Sequence, residues 1–307
     1  GLGAALTVAL WFCINVGITL LNPVLVVKYG FHFPVFLTTM HMAMTTVLAN
    51  AAVLGFGMAP RQGIASAGQL AKIGLLAAVL AGGVVCGIWQ AKYIPVSFEQ
   101  TVSATTPLFT AGMALLFQLP PESPRTYVCL VPVVGGLALA SGYEPLFHWA
   151  GFWLAIAATA SRALRSVLQQ VLISGDVALA PLNLLRFIAP IAFCLLLPAA
   201  CYIEGWGHFT GSLARGGAQG APQAMAFWIV VSCCSAFLVN LFNNLVTKCT
   251  SAITLQVCGN AKGAAAALIS IPLFGKPVSL MSLAGLVVTI SGVMLYSESK
   301  RREGLAR

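Results

Sequence analysis

The residue with the clearest chemical purpose is Lys262, because it lies near the middle of Leu255–Phe274, a stretch apolar enough to cross a bilayer. An ammonium group at that depth must face protein, water or a ligand, since lipid cannot solvate it. Gly259 and Gly263 flank the lysine, and such small residues let another helix backbone come close. We therefore predict that Lys262 lies at the floor of a central cavity and neutralises an anion, with Asn260 and Gly259 beside that anion.

Other charges also fall within predicted membrane spans. Arg162, Arg165 and Arg186 join Lys262 there, whereas Glu99 is the one acidic residue that we place inside. A buried ion costs several kcal/mol unless it is paired or solvated. An anionic substrate is therefore the simplest group that could balance this surplus of positive charge. The alternative is that Arg162 or Arg165 reaches the lipid headgroups or pairs with Glu99, and for Arg186, close to a span end, contact with headgroups is the favoured interpretation.

Uncharged polar residues on other predicted spans could complete a binding site. Each of them alone more often joins helices to each other than contacts a ligand. Together they indicate a polar route through the bundle. The candidates are Gln100, Ser103 and Thr106 at helical spacing, Asn240, Thr39 and His41.

The composition indicates a polytopic membrane protein. Apolar residues make up 59% of the 307 residues and charged residues 7%, against roughly 25% charged in a soluble domain.

The nine cysteines are scattered through apolar runs without a CxxC pair, which favours packing over a disulfide or metal framework. We expect no cofactor. The basic residues form no stripe with interleaved aromatics, so we expect no nucleic-acid partner. The chain begins at Gly1 rather than Met, and we expect that it is trimmed and that any targeting segment belonged to the trimmed part.

The hydropathy pattern predicts an all-α protein with about ten transmembrane helices. The expected spans are 4–27, 34–56, 70–91, 95–118, 126–143, 146–172, 181–203, 224–246, 251–274 and 279–297. Short loops hold the proline and glycine residues, as in Gly205–Gly220. The tail 298–307 is basic, and the positive-inside rule therefore places it in the cytosol, together with the N-terminus if the number of spans is even.

Two segments of the chain resemble each other. An offset of 156 residues aligns AKYIPVSFEQTVSATTP with TKCTSAITLQVCGNAKG and sets Thr106 against Lys262. Chance similarity between two alanine-rich helices is the alternative explanation. Taken as a repeat, the alignment divides the chain into five-helix halves, 1–143 and 144–297. An odd number of spans in each half gives them opposite orientations, which is the inverted-repeat plan of secondary transporters.

Several motifs resemble the triose-phosphate translocator family of the drug/metabolite transporter superfamily. They are WFCINVGITLLN, FLTTMHM, IPVSFEQTVSATTPLFTA, GFWLAIAATASRALRSVLQQVL and VNLFNNLVTKCTSAITLQVCGNAKG, the last being the most specific. The resemblance covers nearly the whole chain. It implies ten helices in two inverted five-helix repeats, and strict antiport of an organic phosphate against inorganic phosphate or a nucleoside monophosphate.

The sequence departs from the plastid members of that family at the positions that hold phosphate. Ser103 stands where those carriers have a lysine, Val239 where they have a tyrosine, and the pair Lys262-Gly263 where they have Lys-Arg. The Lys-Gly version is similar to the branch that includes Golgi and endoplasmic-reticulum nucleotide-sugar carriers.

These features favour an antiporter that exchanges a nucleotide sugar, a UDP-sugar in particular, for a nucleoside monophosphate in a Golgi or endoplasmic-reticulum membrane. Lys262 would bind phosphate and Arg165 would be a second cation. Hydrogen bonds to sugar or base would come from Gln100, Ser103, Thr106 and Asn240. The alternative is a sugar-phosphate/phosphate translocator of the plastid inner envelope. A membrane enzyme would need more carboxylates, as would a cation exporter. Membrane lipid is an expected partner, and a homodimer is left open.

Overall fold

The computed structural model is helical and describes most of the chain. The described residues are 2–94, 99, 102, 103, 105–119, 123–140, 148–175, 177–261, 284, 287, 288, 291, 292, 294–296, 298, 299 and 302. These residues contain no β-strand. The prediction of an all-α protein is therefore confirmed for the described part of the chain.

The part of the chain that the structure describes contains ten helices with defined bounds and three short irregular turns. The helices are α1 (Leu2–Tyr29), α2 (Pro34–Asn50), α3 (Ala67–Gln90), α4 (Thr106–Leu116), α5 (Pro124–Val128), α6 (Leu130–Ala140), α7 (Trp149–Ser174), α8 (Pro181–Ala200), α9 (Trp206–Arg215) and α10 (Pro222–Cys249). Single π-helical turns, Ala51–Gly55 and Cys201–Gly205, extend α2 and α8, and a 3-10 turn covers Gly217–Gln219. Residues 252–261 are also helical.

Proline sets the start of several helices. Pro34, Pro181 and Pro222 are the first residues of α2, α8 and α10, and Pro107 is the second residue of α4. Proline suits the first turn because that turn needs no backbone N–H and the ring fixes φ at a helical value. The span starts predicted at 34 and 181 agree with the structure for this reason.

Within the described ranges, five helical segments are long and apolar enough to cross a membrane. They are Gly3–Tyr29, Pro34–Gly55, Ala67–Gln90, Pro181–Arg215 and Pro222–Cys249. Such segments indicate a multi-pass membrane protein. The α7 helix is 26 residues long and lies outside this set. The prediction of ten spans in two inverted repeats stays a prediction, because its remaining spans involve residues beyond those described or shorter helices.

The chain forms two compact units, each built from two separate stretches. Unit 1 comprises residues 1–85 and 168–250, and unit 2 comprises residues 86–167 and 251–307. The predicted halves 1–143 and 144–297 and the tail 298–307 were defined by sequence similarity and by charge. This division into units does not test them.

In unit 1, the start of α2 is capped by a residue that is distant in the sequence. Glu204, in the π turn after α8, accepts hydrogen bonds from the backbone N–H groups of Val35 (2.7 Å) and Phe36 (2.9 Å). These N–H groups belong to the first turn of α2, where no carbonyl of the same helix can reach them. The carboxylate also opposes the positive end of the helix dipole. Glu204 therefore attaches the end of α8 to the start of α2, along which α8 packs.

The predicted loop Gly205–Gly220 was wrong, because ten of its residues form α9. Phe209 is buried, and its ring stacks on that of Phe36 with the centroids 4.1 Å apart. Trp206 lies beside both rings. This aromatic packing stabilises the helix despite the glycines within and around it, whose helix propensity is low.

In unit 2, the C-terminal helical residues pack closely on α6. A Cβ atom at Gly292 would lie 2.7 Å from the backbone nitrogen of Val133, so only glycine fits this contact without a shift. Tyr296 is buried in a cluster with Leu130, and its hydroxyl lies 2.7 Å from Thr254 Oγ1. The residues that follow Tyr296 are thereby placed against the start of α5 and α6.

Candidate functional site

In unit 2, the polar face of α7 points into the protein. Arg162 Nη2 donates hydrogen bonds to Ser103 Oγ at 2.6 Å and to Thr159 Oγ1 at 3.1 Å. Thr159 is fully buried, and Glu99 interacts electrostatically with Arg162. Arg162 therefore contacts hydroxyl groups of the protein, and Glu99 is near enough to act on its charge. The alternatives that the sequence left for Arg162 stay open.

The next turn of α7 carries Arg165 and Ser166. Arg165 is half-buried by surface area and lies deep inside the protein. Ser166 is buried and donates to the carbonyl of Arg162 at 3.2 Å. The role of Arg165 as a second cation stays a prediction.

The helical stretch 252–261 contacts this face of α7 through Gln256, whose Nε2 donates to Ser166 Oγ. Gly259 and Asn260 follow on the next turn and are both half-buried. The stretch therefore runs beside α7 as the predicted site requires. Lys262, the centre of the prediction, lies outside the described residues, as does Gln100, and their roles stay predictions.

Ser103 and Thr106 lie in the same unit and make different contacts. The Ser103 hydroxyl accepts the hydrogen bond from Arg162 and keeps its own proton to donate. Thr106 is buried, and its hydroxyl donates to the Ser103 carbonyl. The Thr106 hydroxyl therefore donates to the segment just before α4, and a hydrogen bond from Thr106 to a ligand stays a prediction.

In unit 1, His41 belongs to a chain of hydrogen bonds that joins three helices. Ser232 on α10 donates to Asn22 Oδ1 on α1 at 3.0 Å, and Ser232 Oγ lies 3.0 Å from His41 Nε2 on α2. Since a hydroxyl has one proton and Ser232 gives it to Asn22, His41 Nε2 must be the donor in the second contact. This chain fixes the tautomer of a neutral His41 and leaves its Nδ1 as an acceptor.

The other predicted site residues of unit 1 are buried. Thr39 donates to the carbonyl of Val35 at 2.8 Å, one turn earlier in α2. Asn240 lies on α10, and a neighbouring asparagine of the same helix, Asn244, accepts from Gln169 Nε2 at 2.9 Å. The amide of Asn244 thus joins α10 to α7, as the alternative interpretation of these residues expects, whereas binding roles for Thr39 and Asn240 stay predictions.

Arg186 contacts protein within unit 1. Its Nε donates to Asn50 Oδ1 at the end of α2, at 3.1 Å, and its guanidinium lies 5.3 Å from the centre of the Phe187 ring. Contact with headgroups was the favoured interpretation from the sequence. The structure instead gives Arg186 a role in joining α8 to α2.

Sequence reasoning missed Ser232 and did not assign Gln256 to the site. Ser232 is a lone hydroxyl in the apolar run FWIVVSCC, and a single polar residue in such a run is a usable signal of a helix contact. Gln256 aligns with Gln100 in the proposed repeat, and that alignment was a second signal.

Comparison with known proteins shows the family of this chain. A sequence model of the triose-phosphate transporter family matches residues 2–297. A probable sugar phosphate/phosphate translocator of Arabidopsis thaliana is 46% identical over 297 residues, which cover 96% of this chain and 94% of the relative. UDP-uronic acid transporter 1 of the same plant is 44% identical over 294 residues, covering 95% and 94%. One crystal structure, with a TM-score of 0.71, covers 98% of this chain and 99% of its own. Its sequence identity is 15%, so this likeness concerns the fold alone.

Proposed function

Because the chain belongs to the triose-phosphate transporter family, whose matching relatives are transporters and not enzymes, we propose that it is a secondary antiporter of organic phosphates. The proposed cargo is a nucleotide sugar, specifically a UDP-sugar, and the counter-substrate is the nucleoside monophosphate. We place the protein in a Golgi or endoplasmic-reticulum membrane. The name of the UDP-uronic acid transporter, 44% identical to this chain, supports the proposed cargo class.

The observation that carries the proposal is the inward direction of the cationic face of α7. Arg162 donates to Ser103, and Ser166 accepts from Gln256, so this face meets two other segments of unit 2. Arg165 lies on the same face, deep but with accessible surface. A phosphate ester suits such a site, since a guanidinium binds phosphate oxygens with paired N–H donors.

In the proposed site, Lys262 and Arg165 bind the phosphates, and Asn260 and Gly259 lie close to them. Sugar or base receives hydrogen bonds from Ser103 and from polar residues of the other predicted spans. Those residues are Gln100, Thr106, Asn240, Thr39 and His41.

Obligatory exchange follows from this charge distribution. An empty cavity that holds a surplus cation is costly to close, because closure removes water from the charge. An anion in the cavity offsets that cost, and the transporter then changes sides only when it is loaded.

Liposomes reconstituted with the purified protein test the proposal. We expect uptake of UDP-sugar into vesicles preloaded with uridine monophosphate and little uptake into empty vesicles. Lys262→Ala should abolish this exchange, and Lys262→Arg should impair it, because a planar guanidinium does not replace a point charge beside glycine. Lys72→Ala is the matched control, since Lys72 is an exposed lysine of α3. Equal uptake into empty vesicles, or full exchange by Lys262→Ala, would refute the proposal.

A second candidate is a sugar-phosphate/phosphate translocator of the plastid inner envelope. The name of the relative that is 46% identical favours it. Competition separates the two candidates: inorganic phosphate should displace the substrate of a plastid-type carrier, whereas uridine monophosphate should displace that of a nucleotide-sugar carrier. The replacement of the family's phosphate-binding lysine by Ser103 supports the second outcome.

A further inference from the structure

A groove of about 620 Å³ lies at one end of unit 2, apart from the residues described above. It is formed by the segment that leads into α5 and by the C-terminal helical residues. Its volume is sufficient for a phosphate ester together with a headgroup. The lining residues that matter are Ser123, Arg125, Cys129, Leu295, Ser299 and Arg302.

The polar part of the groove is cationic. Arg302 donates from Nε to Glu298 Oε1 at 2.7 Å and is 73% exposed, so most of its five N–H donors face solvent. Arg125 is exposed too, and among the described residues no side chain pairs with its guanidinium. Among the described residues that line the groove, two arginines stand beside one carboxylate, and this net positive charge attracts an anion.

Exposed apolar residues accompany the groove residues. Leu295, in the groove, is 55% exposed, and Val128 and Val131, which lie on either side of the groove residue Cys129 in the sequence, are 69% and 66% exposed. In a multi-pass protein, exposed valine and leucine on apolar helices face lipid chains. A free nucleotide would leave this apolar surface uncovered, whereas a phospholipid has a charged phosphate and apolar chains in the same molecule.

We propose that this groove binds an anionic phospholipid. Arg125 and Arg302 contact its phosphate, and the acyl chains lie along Leu295, Val128 and Val131. The predicted cytosolic position of the basic tail agrees with this ligand, because anionic lipids are enriched in the cytosolic leaflet and basic pockets between membrane helices bind their headgroups.

Native mass spectrometry of the detergent-purified protein, titrated with phosphatidylglycerol or phosphatidylcholine, tests the proposal without any transport measurement. Wild-type protein should bind phosphatidylglycerol more tightly than phosphatidylcholine. Arg125→Ala and Arg302→Ala should each weaken phosphatidylglycerol binding by about fivefold, as expected for one basic residue near a membrane surface. Glu298→Gln should strengthen it by a similar factor, because it removes the competing carboxylate, and a gain of binding cannot come from misfolding.

The matched control is the double variant Arg61→Ala/Arg215→Ala, which removes two exposed arginines of unit 1. It should leave phosphatidylglycerol binding unchanged. An equal loss in this control, or no loss in Arg125→Ala/Arg302→Ala, would overturn the proposal. Displacement of the lipid by millimolar inorganic phosphate or glycerol phosphate would identify a site for free phosphate instead.

Discussion

Glu204→Ala is the substitution whose effect the structure defines best. The carboxylate accepts two backbone hydrogen bonds, from Val35 and Phe36, across more than 160 residues of sequence. Removing it leaves two N–H groups in the first turn of α2 without an acceptor. It also removes the negative charge at the positive end of that helix.

The expected loss of stability follows from these two bonds. A hydrogen bond to a charged group contributes about 1.5–3 kcal/mol. Glu204 is half-buried, so we take the lower end of that range and expect Glu204→Ala to cost about 3 kcal/mol. Glu204→Gln keeps one carbonyl oxygen as an acceptor and should cost about half as much.

The assay is a thermal melt of the purified protein in detergent without added lipid. For a chain of this length, about 3 kcal/mol corresponds to a fall in Tm of about 5 °C. Glu298→Gln is the control, because it breaks an exposed pair on one helix that is worth about 0.3–0.5 kcal/mol. If Glu204→Ala melts within about 1 °C of this control, the cap does not stabilise α2 and our reasoning about Glu204 is wrong.

Three further predictions test other contacts. Arg162→Lys should lower nucleotide exchange about tenfold at normal protein yield, because an ammonium does not reproduce the guanidinium geometry; wild-type exchange would contradict this. His41→Leu should lower the melting temperature by about 2 °C, because the Ser232 hydroxyl loses the N–H group that donates to it. His41→Gln keeps an N–H donor, so its melting temperature should lie close to that of the wild type. Gly292→Ala should lower the melting temperature and yield, because its Cβ would meet a backbone nitrogen of α6. Gly135→Ala should change neither the melting temperature nor the yield, because a Cβ atom at Gly135 would meet no other group within 4 Å among the described residues.

The positions of the long helices were predictable from the sequence, because membrane spans need about 20 apolar residues and the prolines mark where they begin. The span 34–56 agrees closely with α2 and its π turn, Pro34–Gly55. The π turns themselves were not predicted. Neither Ala51–Gly55 nor Cys201–Gly205 carries a residue type that requires the wider helix.

The contacts that cross long sequence separations could not be predicted. Glu204 was not recognised as a cap because its partners lie on α2, and no local pattern relates the two positions. The glycines of Gly205–Gly220 suggested a loop. The ring of Phe209 instead stacks on that of Phe36, a distant residue in the sequence, and this contact stabilises α9. Tertiary packing overrides local propensity at both positions.

The candidate site was predictable in its residue types and less so in their partners. An arginine in an apolar run must be paired, solvated or bound to a ligand, and the sequence alone does not distinguish these states. The structure adds protein partners for Arg162, which bonds to Ser103 and interacts with Glu99, and for Arg186, which bonds to Asn50.

These two assignments change the argument for an anionic cargo. The sequence suggested a surplus spread over three arginines and one lysine. Among the described residues, Arg162 donates to two hydroxyls and Arg186 donates to an amide, and these contacts fix the position of both guanidinium groups. The case for a bound phosphate therefore rests on the predicted roles of Arg165 and Lys262. This makes exchange by Lys262→Ala the decisive measurement, because that substitution leaves Arg162, Arg186 and their hydrogen-bond partners unchanged in sequence.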